Sequence, residues 1–176
     1  MVKTALSPST SAHLSASAPP PFSQCVIPVV RSVQDYQAYR ISPHDTNRLA
    51  IVFDQTTADV SLTFCVEIFD VGGKTPPNQH SLAIEMFFVL KGEGVAICDG
   101  KAIPLRPGDS ILVPPKGIHE IRNTGNTRLY ALCIMIPNED FAELIRSGTP
   151  VPLDEEDLEV LRGGCPVPSH DLQLSC

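Results

Sequence analysis

Through the middle of this chain apolar side chains recur at every second position. Leu62, Phe64, Val66 and Ile68 alternate with Ser61, Thr63, Cys65 and Glu67, the period of a strand with two unlike faces. An apolar run over residues 49–53 precedes it. Six short strands are predicted after it, at residues 84–90, 94–98, 101–105, 110–113, 118–122 and 128–136. Asp99-Gly100 falls between two of them and is a tight-hairpin dipeptide. Pro107-Gly108 and Asn123-Thr124-Gly125-Asn126 mark further turns. Strands this frequent, with no helix between them, predict an all-β barrel or jelly roll and not a parallel α/β sheet.

The pattern weakens at both ends. Residues 27–30 suggest a short strand, and residues 33–39 a short helix or irregular cover. Helical spacing begins only after Pro137. Asn138 can cap a helix carrying Phe141, Leu144 and Ile145, and Asp154 a second carrying Leu158 and Leu161, stopped by Gly163-Gly164. Both helices are expected on the outside of the barrel. The acids at 154–157 suit the positive end of a helix dipole better than a cation site. Residues 1–24 are rich in Ser, Ala, Thr and Pro and end in Pro19-Pro20-Pro21, too polar to repay ordering. The expected organisation is therefore a disordered arm (1–24), one barrel (25–137), two helices (138–164) and a loose tail (165–176).

Composition narrows the partners. A chain of 176 residues with 43% hydrophobic residues can bury one core. Its formal charge of −7 and lack of a basic cluster disfavour nucleic acid or an anionic membrane, leaving a small molecule or another protein as the expected partner. Lys3 is followed by alternating small and polar residues, not an apolar stretch, so no secretory signal is read and the cytoplasm is the expected location. Six cysteines without CxxC pairing read as reduced thiols, with Cys65, Cys98 and Cys133 in apolar strand patterns.

Candidate chemistry gathers between Gly72 and Asn123. Asn78, His80 and Glu85 lie close together there, and His119 follows downstream. Two imidazoles and a carboxylate hold a first-row divalent ion on one face and leave other positions open; the Asn78 amide oxygen could add a fourth ligand. On a strand Asn78 and His80 share a face, but Glu85 is five positions beyond His80, so a turn at residues 81–83 must bring it round. Phe87 and Val89 follow Glu85 in register, and Ile121 follows His119, which predicts an apolar wall for the same cavity. Glu120 and Arg122 should face solvent. Glu67 is expected at the surface, with a base beside the site as the alternative. His13, His44 and His170 are assigned no role.

The same stretch resembles the two signature motifs of the cupin superfamily. The first is Gly72, Asn78-Gln79-His80, Glu85 and Gly92; the second is Gly108-Asp109, Pro114, His119 and Asn123. The resemblance implies a single jelly-roll β-barrel with metal ligands at His80, Glu85 and His119. The chain departs from the pattern twice: Asn78 stands where histidine is usual, and Lys116 where glycine is usual, with Gly117 one place late. Some cupins, type I phosphomannose isomerases among them, carry glutamine in the first of these places and still hold zinc.

The expectation for function is a metal-dependent enzyme using Fe(II), Mn(II), Ni(II) or Zn(II), most simply a dioxygenase of a small oxygenated organic molecule. A sugar-type isomerase and a non-catalytic ligand sensor are the alternatives. Few charges near Ile27 and Leu49 lead to the expectation of a homodimer paired through sheet edges.

Overall fold

The computed structural model of the protein describes residues 28–163. The expected arm, the expected tail, Ile27, His13, His170 and Cys25, Cys165 and Cys176 lie outside the described residues. Ten strands run in order: β1 Gln37–Arg40, β2 Asn47–Asp54, β3 Thr63–Phe69, β4 Ile84–Lys91, β5 Gly94–Cys98, β6 Lys101–Leu105, β7 Ser110–Val113, β8 His119–Asn123, β9 Leu129–Ile136 and β10 Thr149–Val151. Three short helices accompany them: α1 Gln55–Ala58, α2 Phe141–Ser147 and α3 Glu155–Leu161.

The strands form two antiparallel sheets. One has seven strands in the order β10-β1-β2-β3-β9-β4-β7, the other three in the order β6-β5-β8. Hydrogen bonding does not run round a closed ring, so the expected barrel is a sandwich of two sheets. Their inner faces share one core: Leu49, Ile51, Phe69, Phe87, Val89, Leu129 and Cys133 of the large sheet pack with Ala96, Leu105 and Ile121 of the small one. Alternation puts these residues inward on successive strands.

Register carries the polar residues of the same phase inward too. Leu49 of β2 pairs with Glu67 of β3, and Glu67 pairs with Ala131 of β9. Glu67 is therefore interior, 3% exposed, contrary to the expectation of a surface charge. Its strand has apolar residues in both phases because α3 covers the outer face. Val66, Ile68 and Tyr130 pack there with Ala38, Ala50, Val52, Val160 and Leu161.

Local signals act where the chain turns. Asp99 and Gly100 take φ of 46° and 77°, the paired left-handed conformation of a type I′ hairpin between β5 and β6. Lys116 stands at φ 68°, so it adopts the left-handed backbone that glycine would take there without cost. Residues 33–39 are neither of the expected forms alone: a 3-10 turn, Val33–Asp35, leads into β1.

Asp154 caps α3, accepting from the Asp157 backbone N–H at 3.1 Å. Asp157 does more than favour a dipole. Fully buried, it accepts from both Arg48 Nη2 (2.6 Å to Oδ1) and the Tyr130 hydroxyl (3.0 Å), with Arg128 Nη1 3.2 Å away. Asp140, not the expected Asn138, is the N-cap residue of α2 and makes no side-chain cap bond; Asn138 supports the first turn from two residues further back, accepting from the Ala142 N–H at 2.9 Å. That helix does not lie wholly outside: Phe141 and Leu144 line the cavity described next.

Candidate metal centre

A cavity of about 460 Å³ opens between the sheets under α2, within the usual range for a small-molecule site. Leu49, Phe87, Met135, Phe141 and Leu144 make its wall largely apolar. Asn78, His80, Glu85 and His119 also line it.

These four arrive from three places. Glu85 is the second residue of β4 and His119 the first of β8. His80 follows an irregular segment, not a strand, and a bend at Ser81-Leu82 brings it back onto Glu85. Glu139 holds that bend, accepting from the backbone N–H of Ser81 at 3.1 Å and of Leu82 at 2.7 Å. Asn78 is tied to β8 by an isolated bridge with His119, its N–H donating at 3.0 Å and its carbonyl accepting at 2.9 Å.

Both imidazoles point at one oxygen. Nε2 of His119 lies 2.7 Å from Oε2 of Glu85, and Nε2 of His80 lies 3.0 Å from the same atom. The His119 Nδ1 is 3.1 Å from the carbonyl of Gly117. A carbonyl only accepts, so Nδ1 carries a proton and Nε2 is left as the donor atom for a metal. The other Glu85 oxygen accepts from the Cys133 thiol at 3.2 Å. Cys133 was expected only to fill the core.

Electrostatics follow from this crowding. Burial works to raise the Glu85 carboxyl, but hydrogen bonds from His119 and His80 and the His119 charge outweigh it and hold the group at about 2. Burial works to lower His119, and its bond to Glu85 overcomes that and raises it. Burial and the Glu85 charge push Glu67 up to about 8, against the bond it accepts from Asn47.

Do these residues fit a cation? A neutral His119 with Nδ1 protonated would set two acceptors 2.7 Å apart. That contact needs a positive charge, either an extra proton or a metal. Asn78 Oδ1 gives a second sign: among the described residues it is the one side-chain polar atom wholly sealed from solvent that has no hydrogen-bond partner, and such atoms are costly. Ligand atoms of His80, Glu85 and His119 lie within 4.8 Å of one another. The donor set suits a first-row divalent ion on two nitrogens and a carboxylate, with the amide oxygen as a fourth.

Phe87 lines the cavity, whereas Val89 and Ile121 share its inward phase but pack in the core. Glu120 is buried beside the exposed Arg122 and Lys74, not solvent-facing as expected. Sequence reasoning missed Asn47, Asp45, Glu139 and Phe141. The phase of β2, which sets Asn47 with Leu49 and Ile51, was a usable signal for the first. Nothing in the sequence places Glu139 or Phe141 over a site built by other strands.

Known proteins match the same region. The family model described as a cupin domain matches residues 65–135. An uncharacterised protein of Methanocaldococcus jannaschii is 37% identical over 70 residues, covering 40% of this chain and 56% of that one. The oxalate-binding protein of Thermotoga maritima is 36% identical over 69 residues, covering 36% and 57%. The chain thus spans a little over half the length of the curated relatives it matches. A solved Thermotoga maritima structure described as a predicted oxalate decarboxylase superposes with a TM-score of 0.57 and 25% identity, covering 62% of this chain and 99% of the other.

Proposed function

The chain belongs to the cupin superfamily, and from that premise we propose that it is a metal-dependent enzyme, a dioxygenase acting on a small oxygenated organic molecule. The observation that carries the metal is the convergence of two imidazole Nε2 atoms on Glu85 Oε2, in a cavity also lined by Asn78, whose Oδ1 is orphaned. His80, Glu85 and His119 would hold the ion, with Asn78 as a weaker fourth ligand. When bound, a divalent ion supplies Lewis acidity toward a coordinated substrate oxygen.

The chain's own residues supply the rest. Gly117 fixes the His119 tautomer, and Cys133 fixes the rotation of the Glu85 carboxylate by bonding its second oxygen. Phe87, Phe141 and Leu144 wall the cavity with apolar surface, which limits water at the reacting centre. Oxygen uptake by the metal-loaded protein, followed across a panel of diketones and phenolics, is the experiment. Substrate-dependent uptake that a chelator abolishes supports the enzyme; full metal with no uptake across the panel favours a binding protein. One relative's description as oxalate-binding is what favours that second reading.

We also propose a homodimer. Leu49 lies on β2, an inner strand of the large sheet, so the expected pairing edge there is already filled. The edge strand β7 is the better candidate: it has no charged residue and no proline, whereas β10 carries Pro150 and β6 carries Lys101 and Pro104. Such an edge invites a second copy, and it is continuous with the exposed Phe88, Leu112 and Ile136 of the outer face. Among the described residues no helix is long and apolar enough to cross a membrane.

A further inference from the structure

The cavity contains a second polar group that the metal does not need. Asn47 Nδ2 donates to Glu67 Oε1 at 2.6 Å, both side chains are buried, and both line the same space as His80, Glu85 and His119. They belong to β2 and β3, on the far side of β9 from Glu85. Among the described residues Glu67 Oε2 has no protein hydrogen-bond partner, so one side of the pair remains available to whatever fills the cavity. A buried acid with a single amide partner is expensive as structure alone, because an apolar pair of the same shape would avoid the desolvation.

The charge of the lining adds a separate constraint. Asp45, Glu67, Glu85 and Glu139 contribute carboxylates, and among the described residues no lysine or arginine lines the cavity. The formal charges of Asp45, Glu85 and Glu139 already outweigh those of a divalent ion. A site that selects a dicarboxylate would be expected to offer a guanidinium or ammonium for the second carboxylate. This one offers an acid and an amide instead. Its apolar wall would also be left uncovered by a ligand as small as oxalate.

We propose that the cavity selects an uncharged or singly acidic oxygenated molecule with an apolar body, and that the Asn47–Glu67 pair positions it by hydrogen-bonding its far oxygen, so that small dicarboxylates are poor ligands. This deepens the proposed metal-dependent function and rests on it. Burial favours the protonated form of Glu67. Oε2 can then donate to a hydroxyl or carbonyl oxygen of the ligand.

The test uses the full chain loaded with manganese(II). Metal content is measured first, and calorimetric titration with two probes follows. Kojic acid has one ionisable hydroxyl on a chelating ring and a neutral hydroxymethyl arm; oxalate has two carboxylates. Kojic acid should bind at least tenfold more tightly than oxalate. Glu67→Gln, which still donates through its amide, should stay within about threefold of wild type for kojic acid. Glu67→Leu should lose about tenfold, the worth of one buried hydrogen bond, while keeping its manganese. Oxalate bound as tightly as kojic acid, or wild-type affinity in Glu67→Leu, overturns the inference and leaves the metal site standing. Failure to take up manganese overturns the metal reading and this inference with it. The wild-type comparison does not depend on any variant folding.

Discussion

His119 Nε2 lies 2.7 Å from Glu85 Oε2, across 34 residues of chain and between two different sheets. One cation, proton or metal, must stand behind that contact, because the other nitrogen of the ring is committed to Gly117. Purified from metal-replete medium, the protein is expected to carry about one divalent ion per chain, and His119→Ala well under a tenth of that. Elemental analysis decides it. A His119→Ala protein that retains its full metal would remove this residue from the site.

Asn78 should tune affinity without being essential. Its buried Oδ1 has no other partner, so Asn78→Ala is expected to weaken metal binding by about tenfold, the scale on which groups around a site act. Asn78→His should tighten it, since imidazole is the stronger donor to late first-row ions. Competition against a chromogenic chelator measures both. Unchanged affinity in the two variants would mean that the amide faces substrate only.

Chelator-treated protein should lose stability as pH rises from about 5.5 to 8. Glu67 is raised in the fold from 4.5 to about 8, so across that interval the native state holds a proton that the unfolded chain has released. His119, also raised, contributes stability below its unfolded value and loses it as pH climbs, which is the same sign. Glu85, held at about 2 against 4.5 when free, loses its contribution as pH falls from about 4.5 to about 2, outside this interval. Thermal melts in EDTA at the two pH values should show the drop, and Glu67→Gln should shrink it. A melting temperature that rises across the interval would contradict the assignment.

Replacing Asp157 tests what holds α3 to the sheet. Asp157→Asn removes the buried one of two carboxylates that hold Arg48, leaving only the part-exposed Asp70 at 3.0 Å from Nη1, and breaking a buried pair costs on the order of 3 kcal/mol. Urea unfolding should show that loss with an unchanged slope. A change below about 0.5 kcal/mol would mean that Asp70 alone satisfies Arg48.

Leu112→Lys on β7 should convert a dimer to a monomer while sparing the metal, because the charge sits on the exposed side of an edge strand. Light scattering that already gives about 19.0 kDa for the wild type would end the dimer proposal.

The sequence by itself determined the strands of the middle region. Period-two alternation and turn dipeptides are local properties, and the expected strands at residues 94–98, 101–105 and 110–113 coincide with β5, β6 and β7. Motif spacing also singled out His80, Glu85 and His119, whose convergence the fold then supplies. Tertiary structure alone decided three things. Period two cannot say which phase of β3 faces inward when both phases meet apolar cover, and so Glu67 was expected outside. Hydrogen bonding between distant strands fixed two sheets where a closed barrel was expected. The placement of α2 over the cavity depends on packing against β1 and β2, which no local pattern encodes, so Phe141 and Leu144 became part of the site only when the chain closed on itself.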